Sequence, residues 1–115
     1  MIPSRFRFRA WNSVNQMMNY DIHLEHFGEY LETPDYPIMQ STGLVDKNDK
    51  EVWEGDLLGD PSQLILECKW WGEAARFTFF YGKEEYAVVY HKEFPFKLIH
   101  NVVIGNIYEN PELLK

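Results

Sequence analysis

From Ser4 to Trp11 polar and apolar residues alternate. A period of two places Phe6, Phe8 and Ala10 on one face and Arg5, Arg7 and Arg9 on the other, which predicts a strand with an apolar inner face. Asn12 to Asn15 supplies turn residues, and Gln16 to Tyr20 reads as the returning arm of a hairpin. Asp21 to Leu31 mixes Ile22, Leu24 and Phe27 with polar residues and fits strand, loop or short helix. Thr33-Pro34-Asp35-Tyr36-Pro37 breaks the pattern, because each proline restricts itself and its predecessor. The chain is expected to be one domain, with an N-terminal hairpin region over 1–35 and a main body over 36–115.

The main body reads as strand, turn, strand. Ile38-Met39-Gln40 leads to Gly43, the polar run Asp46 to Lys50 forms a turn, and Val52 to Leu58 follows with Gly55 inside it. Gln63 to Trp71 and Ala74 to Tyr81 are joined at Gly72-Glu73, a hairpin connection. Glu85 to His91 is the next strand, a loop surrounds Phe94-Pro95-Phe96, and Asn101 to Tyr108 is the last strand. Asn110-Pro111 then opens a helical turn, with Asn as cap and Pro at the first position. The core is expected from Phe6, Phe8, Ile38, Leu64, Leu66, Phe77, Phe79, Val88, Ile104 and Ile107. Many short strands at even spacing imply an all-β barrel or sandwich.

Composition sharpens this picture. Aromatic residues make up 17% of the chain, which favours pleated, half-buried surfaces. The net charge of −7, with 18 acidic against 11 basic residues, disfavours binding to phosphate backbones. Met1 leads into charged Arg5, Arg7 and Arg9 where a secretion signal would be apolar, and no stretch reaches membrane-spanning length. The lone cysteine, Cys68, excludes an intramolecular disulfide, and its flank, Leu66-Glu67-Cys68-Lys69-Trp70, reads as a strand interior that fits a buried structural thiol. These features together imply a protein of the cytoplasm.

Candidate chemistry is sparse. His23 and His26 would share a helix face, and with Glu25 or Glu29 could face a metal, but no further ligand stands at a useful spacing. Asp46-x-Asn48-x-Lys50 has the start of a calcium loop without its glycine or its closing glutamate. Glu54 and Asp56 flank Gly55, with no nucleophile or oxyanion donor beside them; a bend capped by Asp56 is the expected reading. The row Arg5, Arg7, Arg9 could track phosphates or an acidic partner, with Trp70, Trp71 and Phe80 as stacking platforms. Pairing of that row with carboxylates across the sheet is the expectation. No catalytic, cofactor or metal residues are expected.

Three segments resemble the YopX-like family of phage and prophage proteins. Phe6-Arg7-Phe8-Arg9-Ala10-Trp11 is similar to the family's Lys-Phe-Arg-Ala-Trp. The run Ile38 to Asn48, continued by Glu51-Val52-Trp53-Glu54-Gly55-Asp56-Leu57, is similar to its central signature. Val103 to Leu114 is similar to its C-terminal one. Asn12 stands where the family tends to have Asp, and Asp49 where it usually has Gly. The resemblance implies a small SH3-type barrel behind an N-terminal hairpin, and a phage or prophage origin in a bacterial cytoplasm. It supplies no catalytic residues. Gly43, Asp46, Trp53, Gly55, Asp56 and Gly105 are therefore expected to be structural, with Trp53 anchoring the barrel core. The expected role is non-enzymatic binding of a protein partner or self-association, with nucleic-acid binding through Arg5, Arg7 and Arg9 as the alternative. No cofactor, membrane or small-molecule substrate is implied.

Overall fold

The computed structural model describes residues 7–20, 22, 36–59, 63–73, 75–93 and 96–114. Arg5, Phe6, the His23/His26 pair with Glu25 and Glu29, and most of the proline-rich break lie outside them. The opening alternation forms β1 (Phe8–Asn12), which pairs antiparallel with β2 (Met17–Asn19). Asn12 closes that hairpin: its Oδ1 accepts the backbone N–H of Val14 at 2.9 Å and of Asn15 at 3.2 Å. On its other edge β1 pairs with β3 (Ile38–Val45), Arg9 standing opposite Met39.

β3 turns at Asp46–Lys50 into β4 (Glu51–Trp53). The chain then bends at Glu54-Gly55 and enters a second sheet as β5 (Asp56–Gly59). The run Val52 to Leu58 is thus two strands, because Gly55 adopts a φ of +88°, a region that L side chains avoid. β6 (Ile65–Trp71), β7 (Arg76–Tyr81) and β8 (Glu84–Tyr86) follow as an antiparallel meander. The segment expected as one strand from Glu85 to His91 leaves that sheet after Tyr86. Its end pairs instead with the chain around β9 (Phe96–Lys97): Ile99 donates to the Val89 carbonyl at 2.9 Å and His91 to that of Lys97 at 2.8 Å. β9 runs parallel to β3, where a loop was expected. β10 (Val102–Asn106) pairs with β5, and a single 3₁₀ turn, Pro111–Leu114, follows Asn110.

The protein is therefore all-β, with two open five-stranded sheets: β2-β1-β3-β4 with β9 alongside β3, and β10-β5-β6-β7-β8. Among the described residues these sheets are open and no pairing joins one to the other, so the expected SH3-type barrel is not closed there. Among the described residues no helix is long and apolar enough to cross a membrane.

The core gathers Val52, Leu58, Leu66, Cys68, Phe79 and Leu98, with Leu44, Leu64, Phe77 and Val88 packed around it. Burying each large apolar side chain contributes about 1.5–3 kcal/mol. Of the residues expected in the core, Leu66 and Phe79 are fully buried, and Phe8, Ile38 and Ile107 are partly so. Ile104 departs from expectation at 42% exposure. The β10–β5 register shifts between Val103 and Gly105, so Ile104 falls in the irregularity and out of the alternation.

Candidate functional site

The segments that carry the sequence signatures meet at one node. Arg9 on β1 is 1% exposed, so this member of the arginine row lies inside the protein, whereas Arg7 is half-buried. Its Nη2 donates to Asp56 Oδ1 at 2.8 Å and to the Glu54 carbonyl at 3.1 Å. Asp56 Oδ2 accepts the Trp53 backbone N–H at 2.8 Å, which closes the bend. The bend is tied to both neighbours as well: Gly55 donates to the Cys68 carbonyl at 2.8 Å, and Ile107 donates to the Gly55 carbonyl at 2.9 Å. The positive φ of Gly55 favours glycine, and a Cβ there would stand 3.1 Å from Met39 Sδ, a tight contact that the Met side chain would have to yield to.

Trp53 is 3% exposed but packs away from the apolar core, against cations. The guanidinium carbons of Arg9 and Arg7 lie 5.4 and 5.5 Å from its ring centroid, and Tyr20 meets it edge-on at 5.7 Å. Arg7 is neutralised by Glu51 at 2.5 Å, whose other oxygen accepts from Ser41 Oγ at 2.7 Å. Both described arginines of the row are thus paired with carboxylates, Arg7 across its own sheet and Arg9 with Asp56 of the second sheet. Trp11 stacks on Tyr108 with centroids 6.0 Å apart, which ties β1 to the C-terminal signature.

Burial outweighs the Arg9 charge and the Trp53 N–H at Asp56, and raises its carboxyl above the ordinary value of 3.8. Burial likewise pushes the Cys68 thiol well above 9.0, reinforced by the charge of Asp56, which keeps it protonated and unreactive. A cleft of about 420 Å³ opens beside the node, lined by Arg9, Tyr20, Trp53, Asp56, Asn106 and Glu109. Its carboxylates hold structural donors: Glu109 Oε2 accepts from Asn106 Nδ2 at 2.6 Å, and Asp56 holds Arg9 and Trp53.

Asp46 forms a second latch. Its Oδ1 accepts the N–H groups of Asn48 and Lys50, both at 2.8 Å, and its Oδ2 reaches across to the N–H of Val103 at 2.8 Å. Both oxygens are committed to backbone N–H groups. Asp49, where the resemblance implies Gly, takes a φ of +68°. Gly43 lies within β3 at a φ of +80°. Gly105 is required by a close approach: a Cβ there would fall 2.4 Å from Asn110 Oδ1, which accepts the Asn106 N–H at 3.2 Å. Among the described residues no group of His, Cys, Asp and Glu could hold a metal ion.

The second feature is a groove of about 650 Å³ between β3 and the β7–β8 end of the second sheet. Alternation on β6 puts Leu66, Cys68 and Trp70 on one face. The first two are buried, while Trp70 is 50% exposed, so the apolar face runs out beyond the cover of the first sheet. Trp70 packs edge-on against Phe77 at 5.1 Å, and Tyr90 against Phe96 at 6.5 Å. These four, with Tyr86 and Val88, give the groove its apolar wall. Trp71 and Phe80 lie on the opposite face of the sheet, paired edge-on at 6.0 Å beneath Arg76 and Lys69. Sequence reasoning missed Tyr86, Tyr90 and Phe96. The usable signal was the Trp70-Trp71 pair: adjacent strand residues face opposite ways, so both tryptophans cannot enter one core.

The fold has a solved counterpart. Protein EF1440 from Enterococcus faecalis has a crystal structure that superposes with a TM-score of 0.67 at 24% identity, covering 95% of this chain and 97% of that one. No curated protein sequence matches the chain. The family model described as YopX protein matches residues 13–115, starting just after the Phe6–Trp11 segment and taking in the bend, Asp46, Gly105 and the C-terminal signature. On that match the chain belongs to the YopX family.

Proposed function

We propose that this YopX family member is a non-enzymatic accessory protein of a phage or prophage, acting in the bacterial cytoplasm by binding another protein through the aromatic groove. The observation that carries the reading is the exposure of Trp70, Tyr90 and Phe96 beside one concave surface. Large aromatics are enriched at the centres of protein interfaces, where they supply contact area at low entropic cost. Self-association through the same surface falls within this reading. A role in chemistry is disfavoured because Cys68 is buried and protonated, and the carboxylates Asp46, Glu51 and Asp56 are occupied by structural donors.

The nucleic-acid alternative is weakened by the pairing of Arg7 with Glu51 and Arg9 with Asp56. It keeps Trp71 and Phe80 with Lys69 and Arg76 as a small stacking face. Capture from a lysate of the bacterium that carries the gene, with the parent and a Trp70→Ser/Tyr90→Ser variant, tests the proposal. Retention of a protein by the parent and its loss from an equally stable variant is expected. Equal retention by both overturns the groove, and a salt-sensitive gel shift with single-stranded DNA restores the alternative.

A further inference from the structure

The two sides of β7 are unequal in length. β6 pairs with it over Arg76, Phe77, Thr78, Phe79 and Phe80, whereas β8 pairs only with Phe79, Phe80 and Tyr81. Past Tyr86 the chain departs to pair Val89–His91 with Lys97–Ile99. Among the described residues, no strand lies beside Arg76–Thr78 on the side that β8 vacates. That open edge and Ala87 and Val88 of the departing chain all line the aromatic groove.

We infer that this notch receives an extended segment of a basic partner protein, which adds as a short strand to β7. The inference rests on the proposed groove and names its occupant. Backbone groups of Arg76–Thr78 supply the hydrogen bonds, and alternation along the incoming strand sends every second side chain towards Phe77 and Trp70. An apolar or aromatic residue there meets Phe77 as a cross-strand neighbour. An edge protected only against aggregation is short and flanked by charge, and the Arg76–Glu85 ion pair at 2.7 Å partly fits that description. Protection gives no reason for Trp70, Tyr90 and Phe96 to gather beside it. Charge favours a basic partner over a second copy: the chain carries −7, which slows the encounter of two copies while attracting and steering a basic segment.

The test uses random dodecapeptides displayed on phage and selected on the immobilised full chain. Enriched peptides should alternate apolar with polar residues, carry lysine or arginine, and lack proline. The best peptide, resynthesised with alternate backbone amides N-methylated, should bind about tenfold more weakly, the effect of losing one or two backbone hydrogen bonds. Trp70→Ser should abolish its binding. If Trp70→Ser abolishes binding while N-methylation leaves it unchanged, strand addition is wrong and the groove survives. If Trp70→Ser has no effect, or no peptide is enriched, groove and strand addition both fail. Sedimentation of a dimer that Trp70→Ser dissociates would replace the basic partner with a second copy.

Discussion

The node around Arg9 and the groove around Trp70 use the same residue types to opposite ends. In the node, Arg9, Trp53 and Asp56 are buried and the ions are paired, Arg9 with Asp56 and Arg7 with Glu51, while Tyr20 at the rim stays half in solvent. In the groove, the aromatics are half in solvent and cover one another only edge to edge. A paired buried network is costly to break and offers little to a ligand. An aromatic surface left open adds little to stability and stands ready to be covered. The difference separates the family signature, which maintains the fold, from the surface proposed to act.

The sharpest way to break this division is to cut into the node. Trp53→Ala removes a buried ring that two guanidinium groups and Tyr20 cover, and should cost about 3–5 kcal/mol in chemical denaturation. Arg9→Met leaves Asp56 buried without its cation and should cost about 3–5 kcal/mol, whereas the double variant Arg9→Met/Asp56→Leu should recover much of that loss. A double variant no more stable than either single one would mean that the ion pair is not the organising contact.

Smaller effects refine the comparison. Gly55→Val places a branched side chain at a φ of +88° against Met39 and should cost about 1–3 kcal/mol, read from the same denaturation curves. The pH dependence has a definite sign. Because the Asp56 carboxyl is raised in the folded state, its contribution is full below the unfolded value of 3.8 and is lost as pH rises through the folded value. The stability gap between the parent and Asp56→Asn should therefore widen as pH falls from neutral towards 3.8. A gap that narrowed on acidification would assign Asp56 the behaviour of an exposed salt bridge.

What the sequence made legible follows the same division. The hairpins, the bend at Gly55 and the cap at Asp56 were readable, because tight turns need glycine, asparagine or aspartate at fixed positions. The inward turn of Arg9 was not, because alternation alone makes arginine the solvent-facing partner of Phe8. Only the distant Asp56 and Trp53 make its burial tolerable. The split of Glu85–His91 was equally hidden, since pairing of Val89–His91 with Lys97–Ile99 is a tertiary choice that local pattern does not encode. The groove exists because of that split: β8 stops at Tyr86 and leaves the edge of β7 open.

The most direct test is a pair of thermal melts, Asp56→Asn beside Trp70→Ser, each against the parent. The account predicts that Asp56→Asn melts more than about 10 °C below the parent, as a loss of a few kcal/mol in a domain of this size requires. Trp70→Ser should cost only about 1 kcal/mol, the worth of its one edge-on contact with Phe77, since half of the ring already stands in solvent. The reverse order, with Asp56→Asn melting like the parent and Trp70→Ser collapsing, would make the groove part of the core and contradict the division between fold and surface.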